Sequence, residues 1–377
     1  MSTIKILVIG GGMQGKNIAK DLAQESTYKV TVADINESIA EELEKFGISY
    51  APLDLRNLES LKKLVEPFDF VCGAVPSKFG RDMLKTVIEC GKSVCDISFT
   101  PTDLSDLSSL AEKHNVTVLV DFGIAPGMSH VIVGKSLREY ESIETAKIYV
   151  GGLPQKEYRR KPYEYFSVFC VEDVIEEYTR TARQIINNEV VEIVPLSKIE
   201  PFETEYEEIG SLETFYSDGL RSLLKSASSI KNLTEQTFRY PGHLQLIKKL
   251  NDENAFEGEK REKTIKQIEK DWQPQEGDKD LLVMSFEFDG VLKGEKEKTI
   301  TTYNLLDKYD EVKNVSSMAR TTAYTCAIGL RLIINGLFTP KGLFYPEEIA
   351  LRQSENNECT DYLFEQLEKR NINFIKK

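Results

Sequence analysis

IKILVIGGGMQGKNIAKDLA, residues 4–23, decides the architecture of the first third of the chain. Ile4–Ile9 has the length and composition of a buried strand, and KNIAKDLA has the spacing of a helix. Between them Gly10-Gly11-Gly12-Met13-Gln14-Gly15 matches G-x-G-x-x-G through Gly10, Gly12 and Gly15. Gly10 permits a tight turn, Gly12 lets the backbone approach a pyrophosphate, and Gly15 lets the helix pack closely on the strand. The pyrophosphate then rests on the N–H groups that open the helix, Met13 and Gln14 among them. A glycine-rich turn with no ligand is the plain alternative, and a second signal opposes it. VTVADIN ends its strand on Asp34, nineteen residues past Gly15. A carboxylate there accepts from both adenosine ribose hydroxyls and repels a 2′-phosphate. No Arg or Lys follows before Lys45, so the expected cofactor is NAD. A helix cap or turn is the alternative for Asp34.

Outward from this loop, strand patterns recur near Val30–Ala33, Ile48–Ala51, Phe68–Val75, Ser93–Ile97 and Val116–Val120. Helical patterns alternate with them at Asn17–Glu25, Glu37–Phe46, Leu58–Val65, Arg81–Glu89 and Asp103–His114. That alternation implies parallel strands joined by crossover helices, a doubly wound α/β Rossmann sheet. Two further positions fit the cofactor by topology. Asp54 ends the third strand, and Val75, Pro76 and Ser77 follow the fourth; each is equally well explained as a turn. Past Phe122 the texture changes to longer strands, including a hairpin turning near Lys293–Gly294, with helical stretches at about Leu212–Lys225 and His243–Leu250. This is the pattern of a second, α+β domain with a mixed sheet. An apolar helix begins near Ser316 and leads to a charged helical tail.

The formal net charge of −13 opposes a nucleic-acid face, which needs clustered Lys and Arg. The six cysteines form no CxxC pair and no metal-ligand spacing, so no metal is expected and the thiols read as reduced. There is no basic-then-apolar leader, and no uncharged apolar run of about 20 residues. The expected location is cytoplasmic, with no membrane partner.

DFGIAPGMSH (121–130), YVGGLP (149–154), VEDVIEEYTRTA (171–182), LETFYSDGLRSLL (212–224), TFRYPGH (237–243) and MARTTAYTCAIGL (318–330) together resemble the saccharopine dehydrogenase family, and most closely its branch that oxidises lysine. The resemblance implies NAD-dependent oxidative deamination of the ε-amino group of L-lysine, giving 2-aminoadipate 6-semialdehyde, which cyclises to a piperideine carboxylate, and ammonia. It also implies a homodimer or higher homo-oligomer, and a C-terminal helix that returns to the Rossmann domain. The domains expected are then 1–122 with about 316–377, and a substrate-binding and dimerisation domain over 123–315.

Such a reaction needs a lone pair on nitrogen, and a lysine ε-ammonium has a pKa of about 10.4. The site must desolvate it, offer a base, or both. An Arg should clamp the α-carboxylate. Asp121, after the sixth strand, can contact the reacting amine as base or electrostatic partner, or can simply anchor the loop Phe122–Pro126. Asp96, ending the fifth strand, is a similar candidate. His130 can shuttle protons or be structural. Arg239 can bind the carboxylate with His243 nearby, or pair with an acid on the sheet. A helix beginning at about Ser217 would make Tyr216 and Ser217 an anion site, with Arg221 pointing away; Ser217 and Asp218 can equally be caps. Arg180 is a second clamp candidate, or a surface partner of Glu176 four residues earlier. Two other readings compete: a saccharopine or carboxynorspermidine reductase, and a non-catalytic NAD-binding sensor.

Overall fold

Ile4–Ile9 forms β1, and Ile6 to Ile9 are fully buried, as a strand covered on both faces must be. The structure, a computed structural model, describes residues 3–353 and 356–377. Parallel to β1 lie β2 (Tyr28–Asp34), β3 (Ser49–Pro52), β4 (Phe70–Gly73), β5 (Ser93–Asp96) and β6 (Thr117–Leu119). They stand in the order β3-β2-β1-β4-β5-β6, a doubly wound parallel sheet as the alternation predicts, and Gly342–Phe344 adds a seventh parallel strand beside β6. Helices Met13–Leu22, Leu58–Val65, Ser77–Glu89 and Leu107–Lys113 make the crossovers. Leu61, Val65, Met83, Leu84, Val87 and Ile88 bury their apolar faces against the sheet.

This first unit comprises the residues up to Lys135 together with Ala319–Asn371. A buried ion cluster ties its two stretches together. The fully buried Asp21 carboxylate accepts from Arg331 Nη1 at 2.5 Å, and from Arg370 Nε at 2.6 Å and Nη2 at 3.0 Å. Arg331 Nη2 also donates to the Asp21 carbonyl at 2.9 Å.

The second unit, Ser136–Met318 with Ile372–Lys377, is built on a mixed sheet. Its strands are β7 (Tyr140–Pro154), β8 (Ala182–Ile186), β9 (Glu189–Ile193), β10 (Glu200–Glu203), β11 (Ser211–Tyr216), β12 (Asn232–Arg239), β13 (Asp280–Leu292) and β14 (Lys298–Lys308). β12 and β7 run parallel; β13 and β14 form the expected hairpin, with Gly294 at φ +83° in its turn. The short strand Ile375–Lys376 covers the outer edge of β14, which blunts an edge that would otherwise offer unpaired backbone.

One expected element is different. Residues 212–225 do not form one helix: Ser211–Tyr216 is β11, paired antiparallel with β12, and only Leu223–Ser226 is helical. Leu212 and Phe215 are three apart, which suits a helix, but the Thr-Phe-Tyr run favours a pleated surface. Both apolar side chains are buried in the strand. Among the described residues no helix is long and apolar enough to cross a membrane.

Candidate dinucleotide site and candidate substrate residues

In the first unit the glycine loop shows why side chains are excluded. Gly10 has φ +98°, and a Cβ there would lie 2.2 Å from the Ala74 carbonyl oxygen. A Cβ on Gly15 would lie 1.8 Å from the Gly10 oxygen, so the helix starts hard against the turn. Gly12 is the opposite case: a Cβ would meet nothing within 4 Å. It opens the helix Met13–Leu22 with no side-chain cap and no acid in the first turn. An uncapped, positive helix start with open ground before it fits a pyrophosphate. Gly11, unassigned in the sequence reading, donates its N–H to Asp34 Oδ2 at 2.5 Å, and a Cβ there would strike Ile39. The second Asp34 oxygen accepts from Asn36 N–H at 2.8 Å. Each carboxylate oxygen retains acceptor capacity for a ribose hydroxyl.

The surroundings of Asp34 are acidic. Tyr50 donates to the Asp34 carbonyl at 2.8 Å, and burial, then the charges of Glu37 and Asp34, raise its phenol pKa. Lys16 and Lys20 are both held by Glu42, each at 2.7 Å. Asp54 stands in a turn, where hydrogen bonds from the Arg56 side chain and backbone lower its carboxyl to about 2. Arg56 escaped the sequence reading. It is the cation of the loop after β3, where Leu53 N–H meets the Asp34 carbonyl at 3.0 Å.

Val75 is buried, Pro76 caps the helix that Ser77 opens, and Val75 N–H donates to Ser98 Oγ at 3.2 Å. Asp96 is fully buried and accepts from Ser98 Oγ at 2.8 Å and Ser98 N–H at 3.1 Å. Its Oδ1 fills the place beside Gly73, where a Cβ would come within 2.0 Å. Burial raises the Asp96 pKa well above the carboxylate range, and the neighbouring Asp121 charge adds to this. Asp121 itself is buried at φ +55°, a left-handed conformation that Asp tolerates better than most residues. His130 is fully buried, its Nδ1 3.0 Å from Ser129 Oγ.

The second unit gathers Arg239 and His243 but closes them off. Arg239, only 2% exposed, donates Nε–H to Tyr178 Oη at 2.5 Å, Nη1 to the Phe238 carbonyl at 2.8 Å and Nη2 to Glu177 at 2.9 Å. Its guanidinium also lies against the rings of Tyr165 and Tyr178. His243 Nδ1 faces the Tyr163 carbonyl at 2.9 Å, so that nitrogen carries the hydrogen. Nε2 then accepts from Tyr178 Oη at 2.9 Å. Burial, then the charge of Arg239, lowers the imidazole to about 3, so it stays neutral at ordinary pH. This pair is a core network rather than an open carboxylate clamp. Arg180 meets Glu176 at 3.5 Å, four residues back. The helix start expected at Ser217 is absent, because Tyr216 ends β11, so no helix-terminal anion site forms there. Asp218 instead holds Arg183 through two 2.9 Å contacts, and Arg221 has φ +43° in the following turn.

The sequence reading missed Glu235. It lies buried on β12; its backbone N–H donates to Gln184 at 2.7 Å, Ser217 Oγ stands 3.5 Å from Oε1, and Oε2 has no hydrogen-bond partner. Burial, then the charges of Glu177 and Asp218, raises its carboxyl to about 8. Nothing in the TEQTFR pattern distinguishes it from an exposed strand glutamate.

A doubly wound sheet with an uncapped glycine turn and an acidic end to β2 defines an NAD(P)-binding Rossmann chain. Two family models match: Saccharopine dehydrogenase NADP binding domain over residues 6–119, and Saccharopine dehydrogenase C-terminal domain over residues 123–372. The chain belongs to the saccharopine dehydrogenase family. Saccharopine dehydrogenase [NADP(+), L-glutamate-forming] of Schizosaccharomyces pombe is 23% identical over 92% of this chain and 94% of that enzyme. Mitochondrial alpha-aminoadipic semialdehyde synthase of Mus musculus is 23% identical over 64% of this chain, which spans 27% of that longer protein. In fold, the chain is similar to the apo saccharopine dehydrogenase (L-Glu forming) of Saccharomyces cerevisiae, with TM-score 0.82, 18% identity and 99% of both chains covered. Homospermidine synthase of Legionella pneumophila follows with TM-score 0.69, 12% identity and 99% and 91% covered.

Proposed function

We propose that the chain is a lysine 6-dehydrogenase: L-lysine, NAD⁺ and water give 2-aminoadipate 6-semialdehyde, NADH, ammonium and a proton. The observation that favours lysine over saccharopine is that at least six of the second unit's eight arginines are ion-paired, Arg160 with Asp278 and Arg261 with Glu176 among them. Arg239, Arg180, Arg183 and Arg159 are each already held by an acid, Glu177, Glu176, Asp218 and Glu164. Saccharopine brings additional carboxylates that each call for a cation, whereas lysine brings one. Gly12 and the helix behind it would hold a dinucleotide pyrophosphate, Asp34 the adenosine ribose, and the bound nicotinamide supplies the hydride acceptor. Asp121, at the carboxyl edge of the sheet, takes a proton from the ε-ammonium so that the nitrogen lone pair can form the C=N bond. Water then adds to the imine carbon and ammonia leaves.

The test is absorbance at 340 nm with NAD and L-lysine at mildly alkaline pH, with NADP, ornithine and saccharopine in parallel. NADH formed with lysine and far less with NADP or saccharopine supports the reading. Turnover with saccharopine alone refutes it in favour of the second reading, a saccharopine enzyme using NADP. No turnover, with clear thermal stabilisation by NAD, refutes the substrate and favours the sensor.

The cofactor preference has its own expected result. Asp34→Ser removes the charged acceptor for the ribose, so KM for NAD should rise about 10- to 100-fold, the scale of lost hydrogen bonds to a charged group. The NADP/NAD ratio of kcat/KM should rise with it. An unchanged ratio means that Asp34 does not choose the cofactor.

A further inference from the structure

Asp96 was expected to touch substrate, yet it has no exposed surface. Its contacts run the other way, toward the glycine loop. Ser98 donates its hydroxyl and its backbone N–H to the two Asp96 oxygens, at 2.8 and 3.1 Å. The same Ser98 oxygen accepts the Val75 N–H at 3.2 Å. Ala74, one residue earlier, takes its own N–H to the Ile9 carbonyl at 2.8 Å, and its carbonyl oxygen is what closes off any side chain at Gly10. Two glycines make room for the arrangement. Asp96 Oδ1 occupies the ground over Gly73, and a Cβ on Gly80 would press on Ser98 Cβ at 3.0 Å and on Thr100 at 2.6 Å. The chain Asp96–Ser98–Val75 thus ends on the turn after β4, over which a dinucleotide laid across the carboxyl edge of the sheet must pass.

We propose that Asp96, acting through Ser98, is a positioning residue for the dinucleotide: the pair holds the Ala74–Ser77 turn in the shape against which the cofactor's middle and nicotinamide half are bound. The inference rests on dinucleotide binding by the first unit and not on which amine is oxidised. The adenosine end would be held elsewhere, by Asp34. A dinucleotide and an adenosine mononucleotide therefore report on different parts of the site.

The experiment is fluorescence titration of the full chain with NADH, and calorimetric titration with AMP, for wild type, Ser98→Ala, Asp96→Ala and the double variant. Ser98→Ala leaves the buried Val75 N–H without its acceptor, so the NADH Kd should rise about 5- to 10-fold while the AMP Kd stays within twofold. Asp96→Ala should give a loss of the same size, and the double variant no more than either, because both act through one chain. If Ser98→Ala does not fold, Ser98→Cys keeps the shape with a poor acceptor and should shift NADH in the same sense. An NADH Kd within twofold of wild type in the single variants overturns the proposal. So does an equal loss for NADH and AMP, which marks general damage to the unit. A wild-type chain that binds neither ligand overturns the dinucleotide reading and this positioning role with it.

Discussion

Asp21→Ala should destabilise the nucleotide-binding unit by about 3–5 kcal/mol, the usual consequence of stranding buried charge. Asp21 is fully buried beneath two guanidiniums, and the side chains of Arg331 and Arg370 are only 3% and 12% exposed. Removing the carboxylate leaves both cations in a low-dielectric site with much of their hydration already lost. The expected shift is about 6–20 °C in the calorimetric transition of this unit, at roughly 2–4 °C per kcal/mol for a unit of this size. Asp21→Asn keeps the shape and two acceptor lone pairs, so its loss should be smaller. A double-mutant cycle with Arg370→Met tests the pairing directly: coupling below about 0.5 kcal/mol would show that the arginine does not depend on Asp21.

The second large effect is a pH dependence centred on Glu235. Its carboxyl is raised from 4.5 to about 8 by burial and by the charges of Glu177 and Asp218, opposed by a hydrogen bond from Ser217 and the charge of Arg221. The folded chain therefore binds this proton more tightly than the unfolded chain does. The stabilisation it brings is complete below about pH 4.5 and is lost progressively as pH rises through about 8. Glu235→Gln removes the titration. Relative to wild type, the variant should gain about 3–5 kcal/mol between pH 4.5 and pH 9, at 1.36 kcal/mol per pKa unit. Urea unfolding at closely spaced pH values measures this, and parallel curves for the two proteins would show that Glu235 ionises as freely folded as unfolded.

What could be read in the sequence was what is local. The glycine turn, the strand before it and the acid closing β2 lie within 31 residues (4–34), and each is required by backbone geometry there. That the sheet is parallel and doubly wound followed because strand and helix patterns alternate; its strand order was not legible there. Arg239 was legible as a cation of consequence but not as a buried one, because its acid, Glu177, lies 62 residues away on another element. Glu235 carried no local signal at all; its character comes from burial beside Glu177 and Asp218. Asp96 was placed correctly at the sheet's carboxyl edge, but which way its side chain turns depends on Gly73 and Ser98. Residues 212–216 misled because spacings of two and three coincide over so short a run.

The first unit is assembled from two stretches of chain, and this gives its synthesis an awkward timetable. β1 and the glycine turn leave the ribosome well before the strand beside β6 and the arginine that completes the Asp21 cluster, which follow more than 300 residues later. At 5–20 residues per second, the 349 positions between Asp21 and Arg370 take roughly 20–70 s to translate. Throughout that time a nascent sheet edge and a buried-to-be carboxylate stand without their partners. The first unit is thus completed only after residues 136–318 of the second have been made, and a fragment cut after Lys135 would carry this half-built state permanently.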